Sequence, residues 1–168
     1  VVLSDGLADT DLLVLLRHDA DPFNRWEASQ RLALGRLLAA MQDGSAPVLD
    51  APFAQAMRDV LRDPRLDAAF QELLLSLPSE AYIAEQLAVV SPPLIHAARR
   101  ALRLQLAQAL RDDWAWAFDT HRTPGGYSPD PVAAGRRSLA NLALTMLCLD
   151  ARQRGDAAWP GRALQRVK

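Results

Sequence analysis

Asp21-Pro22 is the pair that most restricts what this chain can become. An aspartate followed by proline marks a helix start: the carboxylate accepts from the free N–H groups of the first turn, and proline at the first helical position gives up an N–H with no partner to lose. Phe23, Trp26, Leu34, Leu37 and Met41 then recur at steps of three and four, with Gln30 interrupting. That spacing defines an apolar face on one long helix, reaching about Gln42. Arg17 to Asp21 reads as the end of an earlier helix and a tight turn. The expected unit is two packed helices, with Trp26 as the largest anchor on the shared face. If the indole is buried, Trp26→Ala costs about 3–5 kcal/mol.

The same grammar recurs along the chain. Asp9 or Thr10 caps a short helix carrying Leu12, Leu13, Leu15 and Leu16. Asp50-Ala51-Pro52 opens a helix with Phe53, Ala56, Met57, Val60 and Leu61, stopped by Asp63-Pro64. Asp67 caps the next, with Phe70, Leu73, Leu74 and Leu77 inward. Ser79 caps a short one bearing Tyr82, Ile83, Leu87 and Val90. Ser91-Pro92-Pro93 begins the longest predicted helix, to about Thr120. Its two apolar stripes (Ile95, Ala98, Leu102, Leu106, Ala109 and Leu94, Ala97, Ala101, Leu104) predict a rod sandwiched between neighbours. Pro124-Gly125-Gly126 is a loop. Asp130-Pro131 restarts a helix through Leu139, Leu142, Met146 and Leu149, and Gly155 ends it. Trp159, Leu164 and Val167 hint at one more.

Short connections between helices make neighbours pack antiparallel. The fold expected is all-α, an irregular right-handed α-α superhelix of armadillo/HEAT-like helical pairs, without a fixed-period repeat. Half of the 168 residues are apolar, enough for a core. A net charge near −1 argues against nucleic acid as a partner. No run reaches the ~18 apolar residues of a membrane span. A single cysteine rules out an internal disulfide and suits a reducing, cytoplasmic setting.

Chemistry is sparse. His18, His96 and His121 stand far apart, with no His-x-x-x-His spacing for zinc. Cys148, among Met146, Leu147 and Leu149, reads as a small buried hydrophobe. His18 suits a helix C-terminus, and His96 reads as a core or boundary histidine. Asp112-Asp113 diverge on adjacent helical positions, and Asp19/Asp21 are explained by capping. Arg99-Arg100-Arg103 and Arg136-Arg137 read first as solvated or salt-bridged faces, with anion or peptide-carboxylate contact in a groove as the sharper alternative. Trp114-Ala115-Trp116 with Phe118 reads as packing rather than a ligand cage. Gly125-Gly126 lacks the lysine of a phosphate loop. No catalytic, cofactor-binding or metal residue is assigned.

Four stretches nonetheless resemble one family in register. Asp21 to Gln30 is similar to the Asn/Asp-x-Phe-x-Arg-Trp-[Asp/Glu]-Ala-x-Gln segment that opens the C-terminal helical domain of bacterial aminopeptidase N enzymes. Leu75-Ser76-Leu77-Pro78-Ser79 resembles Leu-Thr-Leu-Pro-Ser. Ser91-Pro92-Pro93 with Ala97, Arg100 and Leu102 resembles Asp-Pro-x-x-Ile leading into a long helix. Arg137-Ser138-Leu139-Ala140-Asn141 resembles Arg-Thr-Leu-Arg-Asn. The resemblance implies a parent zinc metallopeptidase that removes N-terminal residues from peptides. Its zinc is held by His-Glu-x-x-His and a later Glu, and Gly-Ala-Met-Glu-Asn holds the substrate amine; neither motif occurs here. By the same resemblance, residues 1–7 would end a preceding β-sandwich domain or linker. Residues 8–168 would form the first part of the helical domain, cut short at its C-terminal end. Its partners would be the catalytic and β-sandwich domains and the peptide in the chamber it closes. The competing expectation is a free-standing helical-repeat module that binds a peptide or protein.

Overall fold

The computed structural model describes residues 6–123, 126 and 128–165. They form helices α1 (Asp9–His18), α2 (Pro22–Asp43), α3 (Ala51–Arg62), α4 (Ala68–Leu75), α5 (Glu80–Glu85), α6 (Pro92–Ala109), α7 (Arg111–Thr120), α8 (Pro131–Arg154) and α9 (Ala158–Gln165), with no strand among the described residues. The strand expected at Val1–Leu3 lies outside them, as do Pro124, Gly125 and Val167.

The helix starts follow the caps. Asp21 accepts from the Phe23 N–H at 2.8 Å and Asp67 from that of Phe70 at 2.9 Å. The Ser79 hydroxyl accepts from the Tyr82 N–H at 3.1 Å, and Asp130 from those of Val132 and Ala133. α1 differs: Ala8 is its cap residue, and Asp11 reaches back to accept from the Ala8 N–H at 2.9 Å. Gly155 ends α8 in the left-handed region, at φ 71°, where a side chain would be strained.

Polar contacts reveal the helix directions. Arg25, at the start of α2, donates to the Leu16 carbonyl at the end of α1, while Arg36 farther along pairs with Asp9 at its start. α1 and α2 are therefore antiparallel. The same holds for α7 and α8, tied by Arg111–Asp150 at one end and Arg136 to the Thr120 carbonyl at the other. α8 lies against α4, α6, α7 and α9, and one continuous core includes Leu16, Leu37, Met57, Leu74, Leu102, Trp114 and Leu147.

The buried side of α2 keeps only part of the apolar stripe expected from its sequence: Leu34 and Leu37 are buried, but the first turns differ. Phe23 is 62% exposed, and Trp26 is half-buried with its ring 5.9 Å from Phe23. Arg25, Ala28, Ser29, Gln30, Leu32 and Ala33 are buried instead. The polar members serve neighbouring helix ends, whose last carbonyls have no partner within the helix. Ser29 donates to the Leu74 carbonyl at 2.6 Å and Gln30 to that of Ser76 at 3.0 Å. Gln71 does the same for α3, donating to Val60, Leu61 and Asp63. Gln30 is thus a working part of the face rather than an interruption. Trp114, fully buried, is the aromatic anchor that Trp26 was expected to be.

The long helix expected from Ser91 to Thr120 is two helices, broken at Leu110, where the backbone sits at φ −111°, ψ 26°. Leu110 is completely buried, and the Ala109 carbonyl beside it accepts from Arg58 at 3.0 Å. Burial and an outside donor hold a turn that no glycine or proline announces. α8, at 24 residues, is the longest helix described. The two-faced burial expected of this region also fails in α6. Ile95, Ala98, Leu102 and Leu106 are buried, but Leu94 is 57% exposed and Ala97 is exposed. Leu73, expected inward, is exposed as well, as are Tyr82 and Val90.

Candidate functional site: a basic groove between α6 and α8

His96, Arg99, Arg100 and Arg103 follow one another at steps of three, one and three, which places them on one side of α6. That side faces Leu149, Arg152 and Gln153 near the end of α8. Between the two helices lies an open groove of about 590 Å³, with Glu80 of α5 at its edge. Arg99 is anchored, donating to the Pro78 carbonyl at 2.7 Å. Glu80 is occupied by His96, at 2.9 Å. Arg100, Arg103 and Arg152 make no hydrogen bond or ion pair to another described residue. Burial pulls the Arg103 guanidinium below its ordinary pKa, and the neighbouring Arg99 charge adds to this. Like charges one helical turn apart are mutually destabilising. The groove therefore concentrates positive charge without neutralising it.

A shallower pocket of about 310 Å³ continues from the groove. It shares Arg103, Leu149 and Arg152, then runs along α8 over Leu144, Thr145 and Cys148 to Ala163 of α9. One end of the combined surface is cationic and the other mainly aliphatic.

The other charged clusters hold helices together. Asp150, 1% exposed, accepts from Arg111 at 2.6 Å and Arg154 at 3.1 Å. Burial by itself would raise the Asp150 pKa, but the two arginine hydrogen bonds and charges outweigh it and leave it lowered. A lowered carboxylate stabilises the fold above the unfolded pKa, near 4, and that stabilisation fades as pH falls through the folded value. Asp150→Asn is expected to cost about 2 kcal/mol at pH 7 and much less at pH 2–3. Urea midpoints at both pH values check this, and an equal loss at each would contradict it. Asp113, also buried, holds Arg58 and Arg62 at 2.9 and 2.8 Å, whereas Asp112 is exposed, so the adjacent pair does diverge.

The remaining sequence candidates scatter. His18 is exposed at the end of α1. His96 is a surface residue paired with Glu80, not part of the core. His121 follows α7, its pKa lowered by burial and by Arg136. Cys148 is half-buried, and burial raises its thiol pKa, which disfavours the reactive thiolate. Asp19 accepts from the Asp21 N–H at 2.7 Å, as capping requires. Trp116 packs against Arg62, and Phe118 lies edge-on to Trp159 at 5.6 Å, so these aromatics are packing groups. Among the described residues no group of three His, Cys, Asp or Glu could hold a metal ion. No described helix is long and apolar enough to cross a membrane. A groove contact is only the alternative reading of Arg99-Arg100-Arg103 in sequence, because the opposite wall on α8 lies some fifty residues away.

Residues 9–168 match the family described as a domain of unknown function (DUF3458_C), ARM repeats. The chain is similar to aminopeptidase N of Caulobacter vibrioides, 37% identical over 89% of this chain and 17% of that protein. It is also similar to aminopeptidase N of Escherichia coli, 31% identical over 83% of this chain and 16% of that protein. A crystal structure of Legionella pneumophila aminopeptidase A in complex with aspartic acid superposes with a TM-score of 0.75 at 21% identity, over 88% of this chain and 18% of that one, and shares the fold. The chain thus spans about a sixth of the length of the relatives it matches. The all-helical stack, its capped helix ends and these matches lead to one assignment: this chain belongs to the DUF3458_C family of ARM-repeat domains and corresponds to a C-terminal segment of aminopeptidase N.

Proposed function

We propose that this chain is a non-catalytic helical part of a zinc-dependent aminopeptidase N, which caps and shapes the chamber where N-terminal residues are removed from peptides. The observation that carries the reading is 37% identity to an aminopeptidase N over nearly the whole chain. Its work is steric. Antiparallel helices packed on one core make a stiff wall, and a wall limits which peptides reach a reactive centre. The catalytic and β-sandwich domains of the same polypeptide are its partners, in the cytoplasm. Zinc does not fit the residues present: the three histidines sit on separate parts of the fold, and the described residues offer no three-ligand cluster. The catalytic domain holds the metal.

The test compares two proteins. The 168-residue chain is expected to bind no stoichiometric zinc and to leave an alanyl anilide intact. A longer polypeptide that contains it and an upstream His-Glu-x-x-His is expected to bind zinc and cleave the anilide. Hydrolysis or one-to-one zinc binding by the short chain would overturn the assignment. A native reading frame that starts just before Val1 would favour a free-standing interaction module instead.

A further inference from the structure

We infer that the groove between α6 and α8 binds a carboxylate that carries an apolar group beside it, as the C-terminal residue of a peptide does. The inference is independent of the aminopeptidase reading. Three observations carry it. Arg100, Arg103 and Arg152 converge from two helices and have no anionic partner among the described residues. Glu80, the acidic residue lining the groove, is already engaged by His96. The aliphatic pocket floored by Leu144 and Leu149 opens directly from the cationic end, with Arg103 and Arg152 at the junction. Guanidinium groups match a carboxylate with two parallel N–H···O bonds, and charge-assisted bonds of this kind are stronger than neutral ones. The pocket beyond the junction admits a few carbons, enough for one leucine-sized side chain.

The geometry orders candidate ligands. A bare anion uses the arginines and leaves the aliphatic pocket empty. A peptide amide fills the pocket and leaves the arginines unpaired. A peptide acid ending in leucine uses both. A medium-chain fatty acid offers the same chemistry from another source, without peptide groups.

Binding to the 168-residue chain is measured by amide NMR shifts and calorimetry. The probes are N-acetyl-Ala-Leu, its C-terminal amide, inorganic phosphate and decanoate. N-acetyl-Ala-Leu is expected to bind about tenfold or more tighter than its amide and tighter than phosphate, with shifts confined to α6, α8 and α9. Decanoate binding more tightly than the peptide acid would keep the carboxylate-plus-apolar chemistry and assign its source to lipid. Arg152→Gln is expected to weaken the acid about fivefold or more and leave the amide unchanged. Arg152 is exposed, so this variant leaves the fold intact and stands in for Arg103→Gln should the half-buried position not tolerate the change. Equal affinity for acid and amide would overturn the inference, as would phosphate binding as tightly as the peptide acid or shifts lying elsewhere.

Discussion

Trp114→Ala is expected to lower the unfolding free energy by about 3–5 kcal/mol, the largest loss of any single aromatic truncation in the chain. The indole is fully buried where α7 meets the core, and its N–H donates to the Leu106 carbonyl at 3.2 Å. Alanine removes the ring's contacts, opens a cavity and gives up the indole hydrogen bond, while the Leu106 carbonyl keeps the Leu110 N–H at 3.2 Å. For a chain of this size the change amounts to about a fifth or more of a typical stability of about 5–15 kcal/mol. Trp26→Ala supplies the contrast. Its ring is half-buried and rests on the exposed Phe23, so its removal forfeits only part of a burial term and costs about 1–2 kcal/mol. Urea denaturation followed by helical circular dichroism ranks the two. Equal losses, or a loss under about 1 kcal/mol at Trp114, would mean that the α7 contact is not where the core is anchored.

That ranking reverses what the pattern around Trp26 suggested, and the reversal shows which parts of the fold are readable in one dimension. Helix starts are local. Asp21, Asp67, Ser79 and Asp130 each bond an N–H two or three residues away, so the sequence names them directly. Buried faces are not local when polar residues occupy them. A count of apolar residues on α2 skips Arg25, Ser29 and Gln30, because the carbonyls that make them tolerable inside are supplied by α1 and by residues 74 and 76. The break at Leu110 was hidden for the same reason: its outside donor, Arg58, is fifty-one residues from Ala109. The resemblance stretch Asp21–Gln30 was legible as a signature, while its physical purpose, closing the ends of α1 and α4, appears only in three dimensions. The groove follows this rule too. The run Arg99-Arg100-Arg103 was visible, but a charge run is an exposed face until a second wall is placed opposite it, and Leu149 and Arg152 are that wall.

Gly135 and Gly35 make a paired experiment in which one chemical change is expected to act in opposite directions. Both lie inside helices, Gly135 in α8 and Gly35 in α2. In an exposed helix interior, Gly→Ala is favourable by about 0.5–1 kcal/mol, because glycine's extra backbone freedom is lost on folding. Gly35 meets that condition, with open space around a Cβ built on it, and Gly35→Ala is expected to raise stability by this amount. At Gly135 the same Cβ would lie 2.9 Å from the Ala69 backbone nitrogen and 3.0 Å from the Ala69 Cβ. Those atoms belong to the first turn of α4, and backbone cannot swing aside as a flexible side chain does. The addition has to push α4 away from α8 along the most extensive contact that α4 makes. Overpacking of this kind typically costs about 1–3 kcal/mol, so it exceeds the propensity gain, and Gly135→Ala is expected to be net destabilising. Gly135→Leu, too large for any small adjustment, is expected to lose upwards of about 3 kcal/mol. The readout is the urea midpoint of each variant. A Gly135→Ala variant as stabilised as Gly35→Ala would mean that α4 and α8 stand farther apart than these distances say, and the shared core between them would have to be redrawn.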